Sequence, residues 1–189
     1  GSSNYGIWIR SSTAGSTNVT ANGGTLTLNG WAGQGTGGSN TGVRADGAFT
    51  LISNTGTGAI NMTGIGGGSA VGTGTSNFGA IVTTGAIVST VNGAITITGT
   101  GGVSLGSTNY GISVGASSIV RATGTGTITL SGTGGGINGG AGSNIGALVS
   151  GAVTGNGGTI SITGIGGSGD IGTSNYGVYI SGGTVSNIG

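Results

Sequence analysis

An Asn and a Gly two residues apart return six times along the chain, in "SSNYGIWI" (2 to 9), "GSNTGVRA" (38 to 45), "TSNFGAIV" (75 to 82), "STNYGISV" (107 to 114), "GSNIGALV" (142 to 149) and "TSNYGVYI" (173 to 180). The Asn residues stand at positions 4, 40, 77, 109, 144 and 175, a period of 31 to 37 residues, with repeats starting near 3, 39, 76, 108, 143 and 174. A period in this range means stacked structural units, none of which can bury its apolar face alone. Nothing else in the sequence restricts the fold as much.

Three short runs recur in fixed order within each repeat. The first follows the Asn ("GIWI", "GVRA", "GAIV", "GISV", "GALV", "GVYI"), and the second comes after a small-residue turn ("NVTA" 18 to 21, "FTLI" 49 to 52, "IVST" 87 to 90, "IVRA" 119 to 122, "AVTG" 152 to 155, "TVSN" 184 to 187). The third is the most regular: "TLTLNG" (25 to 30), "INMTG" (60 to 64), "ITITG" (95 to 99), "ITLSG" (128 to 132) and "ISITG" (160 to 164). Apolar and small polar residues alternate with period two, and no run is long enough for a helix. The chain therefore reads as all-β, a right-handed parallel β-helix (β-solenoid) with three short strands per repeat and about five and a half repeats. Residues 1–189 read as one solenoid segment of a longer repeat array. Variable Gly-rich stretches such as "GWAGQGTGG" (30 to 38) and "GIGGGSAVGTGT" (64 to 75) close the coils, and each repeat makes either one wide coil or two narrow ones.

Parallel stacking puts like residues over like. Ile7/Ile9, Val43/Ala45, Ala80/Val82, Ile112/Val114, Ala147/Val149 and Val178/Ile180 are expected in one inner stack, and Leu26/Leu28, Ile60/Met62, Ile95/Ile97, Ile128/Leu130 and Ile160/Ile162 in another. Asn4, Asn40, Asn77, Asn109, Asn144 and Asn175 are expected to form a carboxamide ladder at one corner. The Gly two residues later supplies a bend or a close approach. By parity Tyr5, Phe78, Tyr110 and Tyr176 should point inward as an aromatic column interrupted by Thr41 and Ile145. A second Asn position recurs after the second strand, at Asn22, Asn54, Asn92, Asn156 and Asn187.

Only five residues are charged: Arg10, Arg44, Arg121, Asp46 and Asp170. Three scattered arginines cannot neutralise a phosphate backbone, which argues against nucleic-acid binding. With 52 Gly but no Pro and no triplet period, the chain is not collagen-like, and evenly spaced Ile, Val and Leu argue against disorder. No apolar run reaches the length of a membrane span. Glycoside hydrolysis by paired carboxyls needs them within about 5 to 9.5 Å, whereas Asp46 and Asp170 would lie about 14 to 19 Å apart along the axis. With no His, Lys, Cys or Glu to act as base, no enzyme activity is expected, and no cofactor or metal site. "GGSGDIG" (166 to 172) is a single, misregistered copy of a calcium nonapeptide and reads as a bend.

Two outward columns stand out. Trp8, Arg44, Ile81, Ser113, Leu148 and Tyr179 form a face unusually rich in large apolar groups, so Trp8, Arg44, Ile81, Leu148 and Tyr179 are candidate surface contacts. Thr27, Asn61, Thr96, Thr129 and Ser161, flanked by further Thr, form a flat polar face of the kind ice-binding solenoids present; Thr is also simply well suited to exposed strands.

The phrases "SNYGVYISGGTV" (174 to 185) and "GGTISITG" (157 to 164) resemble those of bacterial autotransporter passenger domains and filamentous haemagglutinin-like surface proteins. The resemblance implies secretion, display at a bacterial surface, and adhesion or cell-to-cell contact by a long fibre. It assigns no binding residue. The partners expected are copies of the same chain, end to end or side by side, or a neighbouring cell surface. An ice-binding protein and an inert stalk carrying a functional domain elsewhere are the other two readings.

Overall fold

The structure, a computed structural model, describes residues 1–12, 15–138, 140–168 and 174–189. Its strands fall into three parallel sheets, numbered here in chain order. The first sheet stacks β1 (Tyr5–Arg10), β4 (Thr41–Asp46), β7 (Ala80–Thr83), β10 (Ile112–Val114), β13 (Ala147–Val149) and β16 (Val178–Ile180). The second stacks β2 (Thr17–Ala21), β5 (Thr50–Asn54), β8 (Ile87–Thr90), β11 (Ile119–Ala122), β14 (Ala152–Gly155) and β17 (Thr184–Asn187). The third stacks β3 (Leu26–Trp31), β6 (Ile60–Ile65), β9 (Ile95–Thr100), β12 (Ile128–Thr133) and β15 (Ile160–Ile165). Each strand pairs with its counterpart one repeat away, so the chain is a parallel β-solenoid with one coil per repeat, rising about 4.8 Å per coil.

Register explains the composition of the runs. Val43 sits over Ala80 and Ala80 over Ile112; Met62 sits over Ile97 and Ile97 over Leu130. These side chains are buried, as are Ile52, Val88, Val120 and Val153 on the second sheet, and together they fill one continuous core. An interior this narrow holds one or two side chains per strand per coil. Branched aliphatics alternating with Thr and Ser satisfy both faces, since each strand has one face on the core and one outside. Val178 and Ile180, expected in the inner stack, are exposed in β16, the last strand of the first sheet among the described residues.

Of the bend or close approach expected of the Gly after each Asn, the corner uses the close approach, and the bend is made elsewhere. The residue that turns the chain in the left-handed region is the Ser or Thr before each Asn: Ser3, Ser39, Ser76, Thr108, Ser143 and Ser174 all have φ between 60° and 73°. The Gly after the Asn makes the close approach: a methyl group on Gly79 or Gly111 would strike the backbone nitrogen of Thr100 or Thr133. A methyl group on Gly64, Gly99 or Gly132 would strike the carbonyl oxygen of Gly79, Gly111 or Gly146, so the third strand of one coil lies backbone against backbone on the first strand of the next. Paired glycines bring the two sheets together at this edge, and no side chain fits between them.

The second Asn position is also not a single column. Asn54 pairs with Ala21 on one side and Thr90 on the other, and Asn187 pairs with Gly155. Asn22, Asn92 and Asn156 fall one or two residues beyond those pairs, because the turns into the third sheet differ in register. They serve as turn caps: Asn54 Oδ1 accepts from Gly23 N at 3.1 Å while its Nδ2 donates to Gly24 O at 2.6 Å, and Asn187 treats Gly157 N and Gly158 O in the same way.

Candidate functional site

The Asn corner is the most regular polar feature of the molecule. Asn4 Nδ2 donates to Asn40 Oδ1 at 2.7 Å, Asn40 Nδ2 to Asn77 Oδ1 at 2.9 Å, Asn77 Nδ2 to Asn109 Oδ1 at 2.9 Å, and Asn109 Nδ2 to Asn144 Oδ1 at 3.1 Å. Each acceptor oxygen takes a second bond from the backbone N–H of the Asn below, at 3.1 to 3.3 Å over the same four steps. The remaining Nδ2 hydrogen goes back to the carbonyl three residues earlier, as in Asn109 to Gly106 O at 2.7 Å. At the last step the backbone N–H of Asn144 donates to Asn175 Oδ1 at 2.9 Å, while Asn144 Nδ2 turns to Ala141 O and Ser168 O. Asn40, Asn77, Asn109 and Asn144 are fully buried, so the ladder satisfies amides that would otherwise be costly to place there.

The aromatic residues beside these asparagines point outward, contrary to the parity expectation. Tyr5 has its ring centroid 4.6 Å from that of Trp8, and Tyr176 lies 5.0 Å from Tyr179, so both share the outer face with the column that Trp8 begins. Phe78 and Tyr110 contact each other at 5.4 Å. Strand alternation fails to predict this because Phe78, Tyr110 and Tyr176 precede their strands and lie in the corner itself.

The candidate contact column Trp8, Arg44, Ile81, Ser113, Leu148, Tyr179 is in continuous register across the first sheet. Its middle is nevertheless not a free surface. Ile81 is only 7% exposed and Ser113 only 5%, yet Ile81 lies outside the core cluster, in register with Arg44. Exposure is concentrated at the two ends, with Trp8 at 44% and Tyr179 at 41%. Burial pushes the Tyr110 hydroxyl above the ordinary tyrosine value.

On the third sheet Thr27, Asn61, Thr96, Thr129 and Ser161 stand in register, and beside them a second column runs Asn29, Thr63, Thr98, Ser131, Thr163. A third column, Trp31, Ile65, Thr100, Thr133, Ile165, borders the pair with exposed apolar side chains at Trp31, Ile65 and Ile165.

Charge is concentrated in one place. Asp46 Oδ2 accepts from Arg44 Nε at 3.3 Å and Nη2 at 3.2 Å, and Arg10 Nε lies 3.9 Å away on the paired strand. The Arg10 guanidinium lies 5.1 Å from the Trp8 ring and that of Arg44 6.0 Å from the Tyr5 ring. Arg44 and Asp46 are two residues apart on one strand, whereas the place of Arg10 opposite Asp46 depends on the register between β1 and β4. Arg121 stands apart on the second sheet, where its Nε donates to Ser89 Oγ at 3.2 Å. Asp170, with the loop of the nonapeptide-like stretch, lies outside the described residues.

Among the described residues no helix is long and apolar enough to cross a membrane. Comparison with protein-family models, with curated proteins and with solved structures found no match to the chain.

Proposed function

We propose that this chain is a structural segment of an extracellular bacterial surface fibre or adhesin, non-enzymatic, whose task is length and contact rather than chemistry. The observation that carries this reading is the invariance of the coil-to-coil step. Every repeat adds one strand to each sheet it reaches, and the same carboxamide bond recurs at the corner from Asn4 to Asn144. A fold of this type is quasi-one-dimensional: each coil contacts only its neighbours, and adding repeats adds length at constant width. Nearly uncharged flanks favour association of such rods with copies of themselves or with another surface. The resemblance of "SNYGVYISGGTV" and "GGTISITG" to passenger-domain and haemagglutinin-like repeats supports the same placement outside the cell.

The test is the complete reading frame together with protease treatment of intact cells. Further repeats, an export signal and protease-accessible protein on whole cells are expected; a short cytosolic protein protected from protease would overturn the proposal. The in-register double column on the third sheet favours one second reading, an ice-binding face, for which purified protein should show thermal hysteresis. A sample without hysteresis or ice shaping removes that reading and leaves the fibre proposal untouched.

A further inference from the structure

We infer that the junction of the first and second sheets in the first three coils is a binding site for an acidic sugar, a pyranose carrying one carboxylate. An open cleft of about 580 Å³ lies there, lined by Arg10, Ser11, Asp46, Phe49 and Thr84 among others. That volume is within the range of small-ligand sites. The chain has five charged residues in all, and three of the four among the described residues converge at this cleft or border it.

The pairing there is unequal. Two guanidinium groups share one carboxylate, so the cluster carries one excess positive charge. Arg44 is the inner partner, with two hydrogen bonds to Asp46 at 3.3 and 3.2 Å and a side chain 23% exposed. Arg10 is the outer one: its side chain is 61% exposed, its Nε is 3.9 Å from the carboxylate, and its guanidinium is braced by the Trp8 ring. An exposed, oriented guanidinium with a weak internal partner suits a planar carboxylate, which it can hold by two parallel bonds.

The rest of the wall narrows the ligand class. Phe49, in the turn just before β5, is 59% exposed and offers an aromatic surface to the C–H face of a sugar ring. Ser11, Thr84 and the Asp46 carboxylate supply donors and acceptors for hydroxyl groups. Thr84 holds φ at 57°, a left-handed conformation that is uncommon for a β-branched residue and fixes its place on the rim. One excess charge favours a monoanion over a polyphosphate. The site does not depend on the fibre proposal, since a rod can exist with or without it.

Trp8 is a built-in reporter, being in contact with Arg10. In a Trp31→Phe background, where Trp8 is the remaining tryptophan, emission is followed while glucuronic acid, N-acetylneuraminic acid, glucose and sodium acetate are titrated separately, with calorimetry as a second readout. Saturable binding of at least one acidic sugar is expected, at least about tenfold tighter than glucose or acetate. Arg10→Gln should weaken it about tenfold or more with an unchanged melting curve, because Arg10 lies outside the core. Phe49→Ala should weaken the sugar but not acetate. No saturation by either acidic sugar in both readouts overturns the proposal; glucose binding as tightly refutes the role of charge, and acetate binding as tightly refutes the role of the ring.

Discussion

Asn109→Ala tests the corner at its most constrained point. The wild-type carboxamide makes four bonds: Oδ1 accepts from Asn77 N at 3.3 Å and Asn77 Nδ2 at 2.9 Å, and Nδ2 donates to Asn144 Oδ1 at 3.1 Å and Gly106 O at 2.7 Å. The residue is fully buried, so water cannot replace the lost partners without opening the corner. Asn77 Nδ2 keeps its bond to Gly74 O, and Asn144 Oδ1 keeps the Asn109 backbone N–H. The Asn77 N–H and Gly106 O lose the bonds described here. At about 1 kcal/mol per bond, the variant should lose roughly 4 kcal/mol. The assay is urea unfolding of Asn109→Ala beside Asn156→Ala, an exposed turn Asn whose Nδ2 bonds to Thr123 O and whose removal should cost about 1 kcal/mol or less. Comparable losses in the two variants, or a loss under about 1 kcal/mol at position 109 with unchanged m-value, would refute the ladder as a source of stability.

Asn109→Asp keeps the shape but turns both donors into acceptors facing Asn144 Oδ1 and Gly106 O; burial should raise its pKa, so stability should be highest at acid pH and fall as pH rises through that pKa, which a series of melts at different pH will show. Gly99→Ala, colliding with the Gly111 carbonyl, should cost about 3 kcal/mol, against near neutrality for Gly24→Ala, where nothing lies within 4 Å of the new methyl. Ile97→Ala, deep in the third-sheet stack, should cost about 2 to 5 kcal/mol by chemical denaturation. Tyr110 has a raised folded-state pKa, so its stabilising contribution is complete below the unfolded tyrosine value and is lost as pH climbs through the folded one; ultraviolet titration should show a phenol ionising above the ordinary tyrosine value, and Tyr110→Phe should abolish that step.

The strands were legible because the interior admits one pattern. "ITITG" and "ITLSG" place Ile, Ile and Ile, Leu on a two-residue period that only a half-buried strand uses, and their recurrence made the stacking register visible. Asn4, Asn40, Asn77, Asn109 and Asn144 could be aligned for the same reason: a ladder needs the same residue in every coil. The direction of Phe78, Tyr110 and Tyr176 was not legible, since alternation has no meaning in a corner outside the pleat. Nor was the left-handed Ser or Thr, because Ser and Thr are common everywhere in this chain and Gly is the usual occupant of that conformation. Arg10 escaped notice because its partner is on another coil, 36 residues away, and turn lengths decide which residues meet.

The carboxamides of the corner all face the same way along the axis. Nδ2 of Asn4, Asn40, Asn77 and Asn109 each donates to the coil that follows, and Oδ1 of Asn40, Asn77, Asn109 and Asn144 each accepts from the one before. Inverting a rod would set acceptor against acceptor where two leading coils met. The molecule is thus vectorial: copies stacked through this corner must run head to tail, and a fibre built from them would have two chemically different tips, with growth at one not equivalent to growth at the other.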